Sequence, residues 1–262
     1  MSEQISNSIL LAEQKWKLLL EQEVESLFSE IWLPSHDLSH HKRVWFFTKE
    51  LLLEFNKLNP EFTEAAIIAA YMHDTGLTET LKPEHGEISS RMTERFLEKH
   101  PLENPVYKEE LLEAIIRHDN KNYSGRTQSV ASPGLYEILT TADDMDAMGA
   151  LGLYRYFEIY AMRNLPVETI CQAIEKNLKQ RFEFLSSQFA TKRELSSQNK
   201  IRYDTAINIL KTLNSTEISF LKKCIDSKEN IPNFSDDVLK DYPTLHHFIL
   251  KIRCEEKQFT DK

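Results

Sequence analysis

The chain has 262 residues, 41% of them hydrophobic and 28% charged, which suits one large folded domain or two small ones and excludes a disordered tail. Its formal net charge of -9 and pI near 5.6 oppose recognition of nucleic acid or an anionic membrane through a broad basic face. Cys171, Cys224 and Cys254 are odd in number and far apart, so they offer neither a disulfide framework nor a zinc ribbon.

Only 6 glycines, with long apolar-periodic stretches between prolines, predict a chain that is almost all α-helix. Residues 4–32 repeat Ile5, Ile9, Trp16, Leu19, Leu20, Val24, Leu27, Phe28 and Ile31 at helical spacing until Pro34, an amphipathic helix suited to a lid or brace. A second helix runs from Ser39 to Phe55. A third starts at Pro60 and reaches His73, with Ala65, Ala66, Ile68 and Ala69 as a small apolar face for the centre of a bundle. Asp74-Thr75-Gly76 breaks it. Helices at 84–100 and 107–118 follow, then a loop at 120–134 rich in Asn, Ser, Gly and Pro, placed to gate a site. Further helices are predicted at 135–145, 151–163, 167–189 and 199–213, another from the cap at Asn214 to about Ser227, and an apolar run from Leu245 to Ile252.

The start of the chain lacks a basic segment ahead of an apolar run, and the densest apolar run, Ala65 to Met72, is far short of the ~20 residues of a membrane helix. A cytoplasmic protein without membrane contact is the expectation.

Three His-Asp pairs occur, His36-Asp37, His73-Asp74 and His118-Asp119. Neighbouring side chains in a continuous helix diverge by about 100°. At a helix end followed by Thr-Gly, however, the backbone can turn both His73 and Asp74 toward one ion, while His40 and Asp143 approach from other helices. Nitrogen and oxygen donors without thiolate suit Mn, Fe, Co, Ni, Zn or Mg.

The ordered set His36-Asp37-Leu38-Ser39-His40-His41-Lys42-Arg43-Val44, Met72-His73-Asp74-Thr75-Gly76 and Ala142-Asp143-Asp144-Met145-Asp146-Ala147 resembles the HD-domain metal-dependent phosphohydrolases. The likeness covers about residues 34–160. It implies an all-α HD-domain helical bundle, with an N-terminal helix at 1–33, a metal-binding core at 34–164 and a C-terminal helical extension at 165–262. By the same resemblance His40, His73, Asp74 and Asp143 are the ligands of one divalent ion. His85 and His118 stand in the order that binuclear members use for a second ion, and in mononuclear relatives such histidines contact substrate. The run from Asp143 to Arg155 is similar to the bacterial branch that includes nucleotide pyrophosphohydrolases, with Asp144 where that branch usually has an arginine.

What the resemblance implies is hydrolysis of a phosphoester or phosphoanhydride in a small phosphorylated molecule, a nucleotide above all, by a metal-activated water. Asp74 and Asp146 are the candidate catalytic carboxylates. Arg43, Arg155, Lys42 and Arg117 are the candidate phosphate contacts, with Lys121 and Arg126 from the long loop beside them. Two other readings of the same residues are a di-iron oxygenase, which uses six such ligands, and a non-catalytic helical sensor of nucleotides. No feature of the sequence bears on subunit number.

Overall fold

The computed structural model describes residues 2–57, 59–101, 105–119 and 132–260, with side chains described from 7 to 259 within those ranges. Lys121, Arg126 and most of the expected gating loop lie outside the described residues. Among the described residues the regular structure is helical and contains no strand. The chain forms two compact units, one built from residues up to Met145 and the other from Asp146 onward.

The first unit opens with α1 (Ser2–Ala12), a π-helical turn at Glu13–Lys17 and α2 (Leu18–Phe28). Ser8, Ala12, Trp16, Leu20, Val24 and Phe28 are all buried, and each follows the last by four positions. Four residues overshoot one α-helical turn by about 40°, so a straight α-helix would carry this row away from its partner. A π turn takes up more residues per turn and brings the row back into line. The helix stops at Phe28, short of the predicted 32, where Ser29 Oγ donates to Ser26 O at 2.9 Å and draws that carbonyl out of the ladder. Charged contacts fasten this segment. Glu13 Oε1 accepts from Trp45 Nε1 at 2.7 Å and Lys49 Nζ at 3.0 Å, and Tyr71 OH donates to Glu21 Oε1 at 3.2 Å.

Helix α3 (Leu38–Glu54) is capped by Asp37, whose carboxylate accepts from Ser39 N at 2.8 Å. Helix α4 (Pro60–Met72) begins with Pro60 at its first turn and Asn59 as cap. From Ala65 to Met72 every residue of α4 is buried. It packs against α1, α2, α3, α5 and α6, because alanines at 65, 66, 69 and 70 let neighbours approach from several sides. A 3-10 turn at Thr75–Thr78, α5 (His85–Lys99), α6 (Lys108–Arg117) and α7 (Leu135–Asp146) complete the unit, the last residue of α7 lying beyond its boundary.

In the second unit α8 (Gly149–Met162) is the central helix, buried from Gly149 to Ile159 and flanked by α9 (Val167–Gln188), α10 (Arg193–Thr212), α11 (Ser215–Asp226) and α13 (Pro243–Thr260). A 3-10 turn at Ile231–Asn233 and α12 (Asp236–Leu239) link α11 to α13. Two carboxylates organise helix starts. Glu217 completes a capping box with Asn214 and also accepts from Thr244 N at 2.8 Å and Leu245 N at 3.0 Å, so one buried side chain closes α11 and α13 together. Glu255 accepts from Ala150 N at 2.8 Å and Leu151 N at 3.0 Å at the start of α8. Gly149, with φ +83, leaves room for that carboxylate. Helix α10 begins six positions ahead of the predicted Asn199, because its first turns carry one buried apolar residue, Leu195, and so lack the periodic signal.

Candidate metal centre

The six side chains singled out as metal ligands all belong to the first unit and all are buried. His40 lies in the first turn of α3, His73 ends α4, His85 opens α5, His118 ends α6, and Asp143 sits in the last turn of α7. Asp74 follows His73 with φ -104 and ψ 7, outside helical values, so the chain turns there. That break lets adjacent residues aim at one point.

Asp74 is shared between two groups. On its Oδ2 side, His40 Nε2 lies at 3.3 Å and His73 Nε2 at 3.4 Å, while Asp143 Oδ1 is 3.8 Å from His40 Nε2 and 4.0 Å from His73 Nε2. On its Oδ1 side, His118 Nε2 lies at 2.9 Å and His85 Nε2 at 3.3 Å. Within each group the ligand atoms lie within 4.8 Å of one another. One carboxylate thus faces two cradles, His40, His73, Asp74 and Asp143 in the first, and Asp74, His85 and His118 in the second.

The chemistry of this donor set fits cations. His73 Nδ1 is 3.1 Å from Ala70 O, His85 Nδ1 is 2.7 Å from Lys82 O, and His118 Nδ1 is 2.7 Å from Ile115 O. A carbonyl only accepts, so each Nδ1 carries a proton and Nε2 is the nitrogen turned toward the cradle. Two Nε2 atoms face each other across 3.2 Å in His40 with His73, and again in His85 with His118. Opposed lone pairs at that distance repel unless a proton or a cation lies between them. Mixed imidazole and carboxylate donors without sulfur suit Mn, Fe, Co, Ni, Zn or Mg.

Electrostatics agree with that fit. Burial alone would raise the Asp74 carboxyl, but the His73 charge and hydrogen bonds from His118, His40 and His73 hold it well below the ordinary carboxylate range. His85 runs the other way. Burial pulls it down, yet the hydrogen bond and charge of Asp74, the charge of Asp119 and the Lys82 carbonyl lift it to about 9. Without a cation His85 therefore carries a proton at neutral pH, which an incoming ion has to displace.

The remaining expected residues fall in different places. Lys42 is half-exposed, with Nζ 3.3 Å from Glu21 Oε2 on α2. Arg43 is buried and donates from Nη1 to Ser39 Oγ at 3.1 Å, within a chain that continues to Asp37. Arg117 is exposed, 3.5 Å from Glu113 Oε1, with its guanidinium over the Tyr136 ring at 4.5 Å. Arg155 and Asp146 belong to the second unit, where Arg155 Nη1 donates to Asp146 Oδ2 at 3.0 Å and both are buried.

His41, the residue after His40, stays outside both cradles. Its ring packs at 5.3 Å from His40, 5.4 Å from His73 and 5.6 Å from Phe28. Burial, reinforced by the charges of His40 and His73, pushes it well below the ordinary imidazole value and leaves it neutral. His36 meets Ser35 Oγ at 2.9 Å and sets its ring edge-on to His40 at 5.6 Å. Sequence reasoning passes over Gly86 and Ser89, which hold the second cradle together. Glycine and serine in a polar stretch read as loop or cap, and the contacts that give them a role arise only in the folded chain.

No curated protein and no solved structure gives a significant match to the chain. A protein-family comparison matches residues 37–151 to the HD domain, a span that contains all six cradle residues. Match and cluster together support the HD-domain superfamily, whose typical activity is metal-dependent hydrolysis of phosphate compounds.

Proposed function

We propose that the chain is a cytoplasmic metal-dependent phosphohydrolase that cleaves a phosphoester or phosphoanhydride bond in a nucleotide or related small phosphorylated molecule. The observation that carries this reading is Asp74 standing between two buried cradles, with imidazole Nε2 atoms on each side. His40, His73, Asp74 and Asp143 would hold one divalent ion, and Asp74, His85 and His118 a second ion or the substrate. Such an ion supplies an acidified water and an electrophilic partner for phosphate oxygens.

The protein's own side chains prepare the site for that chemistry. Carbonyls of Ala70, Lys82 and Ile115 hold Nδ1 of His73, His85 and His118 and so orient each ring with Nε2 toward its cradle. Asp74 stays anionic and offers one oxygen to each side. Arg43, buried one turn beyond His40 on α3, would be a phosphate contact. Lys42 and Arg117 would serve by exchanging Glu21 or Glu113 for phosphate. Arg155 is a candidate phosphate contact and Asp146, which holds it, a candidate catalytic carboxylate, both in the second unit.

Protein stripped of metal and reloaded with Mn should release phosphate or pyrophosphate from at least one member of a nucleotide panel, and the stripped protein should release none. Robust turnover by the stripped protein would contradict the reading. The presence of all six side chains in two cradles also suits the di-iron oxygenase reading. Iron in the isolated protein together with oxygen consumption would favour that alternative.

A further inference from the structure

The second cradle depends on an approach of two backbones that leaves no room for a side chain. His85 opens α5 and His118 ends α6, and their Nε2 atoms are 3.2 Å apart. The residue after His85 is Gly86. A Cβ built there would lie 2.7 Å from Ile116 O, 3.1 Å from Ile115 O and 3.3 Å from Ile116 C, all backbone atoms of the last turn of α6. Backbone cannot swing aside as a flexible side chain can, so one added methyl group has to push the start of α5 and the end of α6 apart. Ile115 O is also the acceptor for His118 Nδ1, so the same displacement disturbs the carbonyl that sets the tautomer of His118.

We propose that Gly86 is a positioning residue that assembles the second cation position and leaves the first one independent of it. The inference rests on the reading of the two cradles as cation sites. Its selectivity follows from where the ligands sit. His40 comes from α3, His73 and Asp74 from the end of α4, and Asp143 from α7, and none of them lies on α5 or α6. Gly76 is no such selective lever. A Cβ there would stand 2.1 Å from His85 O and 2.9 Å from Ser89 N, two residues from Asp74, and would strain both cradles.

The test is a titration of metal-stripped wild type and Gly86→Ala with Mn(II), followed by elemental analysis and electron paramagnetic resonance. Wild type is expected to take two ions per chain and to show the spectrum of a spin-coupled pair. Gly86→Ala is expected to take one ion with unchanged affinity, to show the spectrum of an isolated ion, and to bind the second at least ~10–100-fold more weakly, the scale of losing an outer support of a ligand. Two ions held by the variant with wild-type affinity would overturn the proposal. Loss of both ions, or of a cooperative melting transition, would overturn it as well, since Gly86 would then serve the whole unit. The wild-type arm separates this from the metal reading itself. Wild type that binds one ion keeps that reading and removes the role of Gly86, whereas wild type that binds none removes both.

Discussion

Asp74→Asn is expected to empty both cation positions at once and to reduce phosphate release to the level of metal-stripped protein. Asparagine keeps the size and shape of the side chain, so packing is preserved, but it removes the one anion that faces all four histidines of the cradles. Each position loses a charged ligand, and the fall in affinity should exceed the ~100-fold that removing a mere outer partner can cost. His73→Ala offers the natural comparison, because His73 is a candidate ligand in the first cradle and not in the second. Equilibrium dialysis with elemental analysis checks the stoichiometry. In the same variant His85 loses the partner that lifts it to about 9, so its imidazole should titrate at lower pH by nuclear magnetic resonance. An Asp74→Asn protein that keeps both ions would show that the carboxylate is not shared.

The second large effect is on stability. Trp16 has no exposed surface, its ring lies 6.0 Å from Phe96, and its Nε1 approaches Glu64 Oε2 at 3.5 Å. Trp16→Ala should cost about 3–5 kcal/mol through lost burial and the cavity left behind. For a chain of this size that corresponds to roughly 6–20 °C in melting temperature. Leu18→Ala on the same segment, with Leu18 67% exposed, should stay within about 0.5 kcal/mol. Thermal unfolding followed by circular dichroism compares the two. Equal melting temperatures for wild type and Trp16→Ala would mean that the N-terminal segment is not part of the packed unit.

What can be read from the residues and what cannot has a physical division. His73 and Asp74 announce themselves because a helix of small apolar residues ends on them and Thr75-Gly76 follows, all within one short stretch. His40 and Asp143 become readable through their order along the chain. The helical class follows from periodicity and scarce glycine, and helix ends agree where a cap such as Asn59 or Asn214 marks them. The π turn at Glu13–Lys17 is hidden, since a row of buried residues four apart looks like an ordinary apolar stripe until its drift is counted. The partners of the basic residues are hidden for another reason. Glu21 reaches Lys42 from a different helix, and a lone lysine beside a ligand reads as a phosphate contact when its neighbour in space is unknown. Gly86 is the same case in the backbone, because what crowds it is a carbonyl thirty positions away.

Membrane anchoring plays no part in the reading of the site, and among the described residues no helix is long and apolar enough to cross a bilayer.

The most direct check of the metal centre is anomalous diffraction from crystals of Mn-loaded protein. One peak is expected among His40, His73, Asp74 and Asp143, and a second between Asp74, His85 and His118. Mn bound only elsewhere on the chain, with neither cradle showing a peak in saturating metal, would contradict the account.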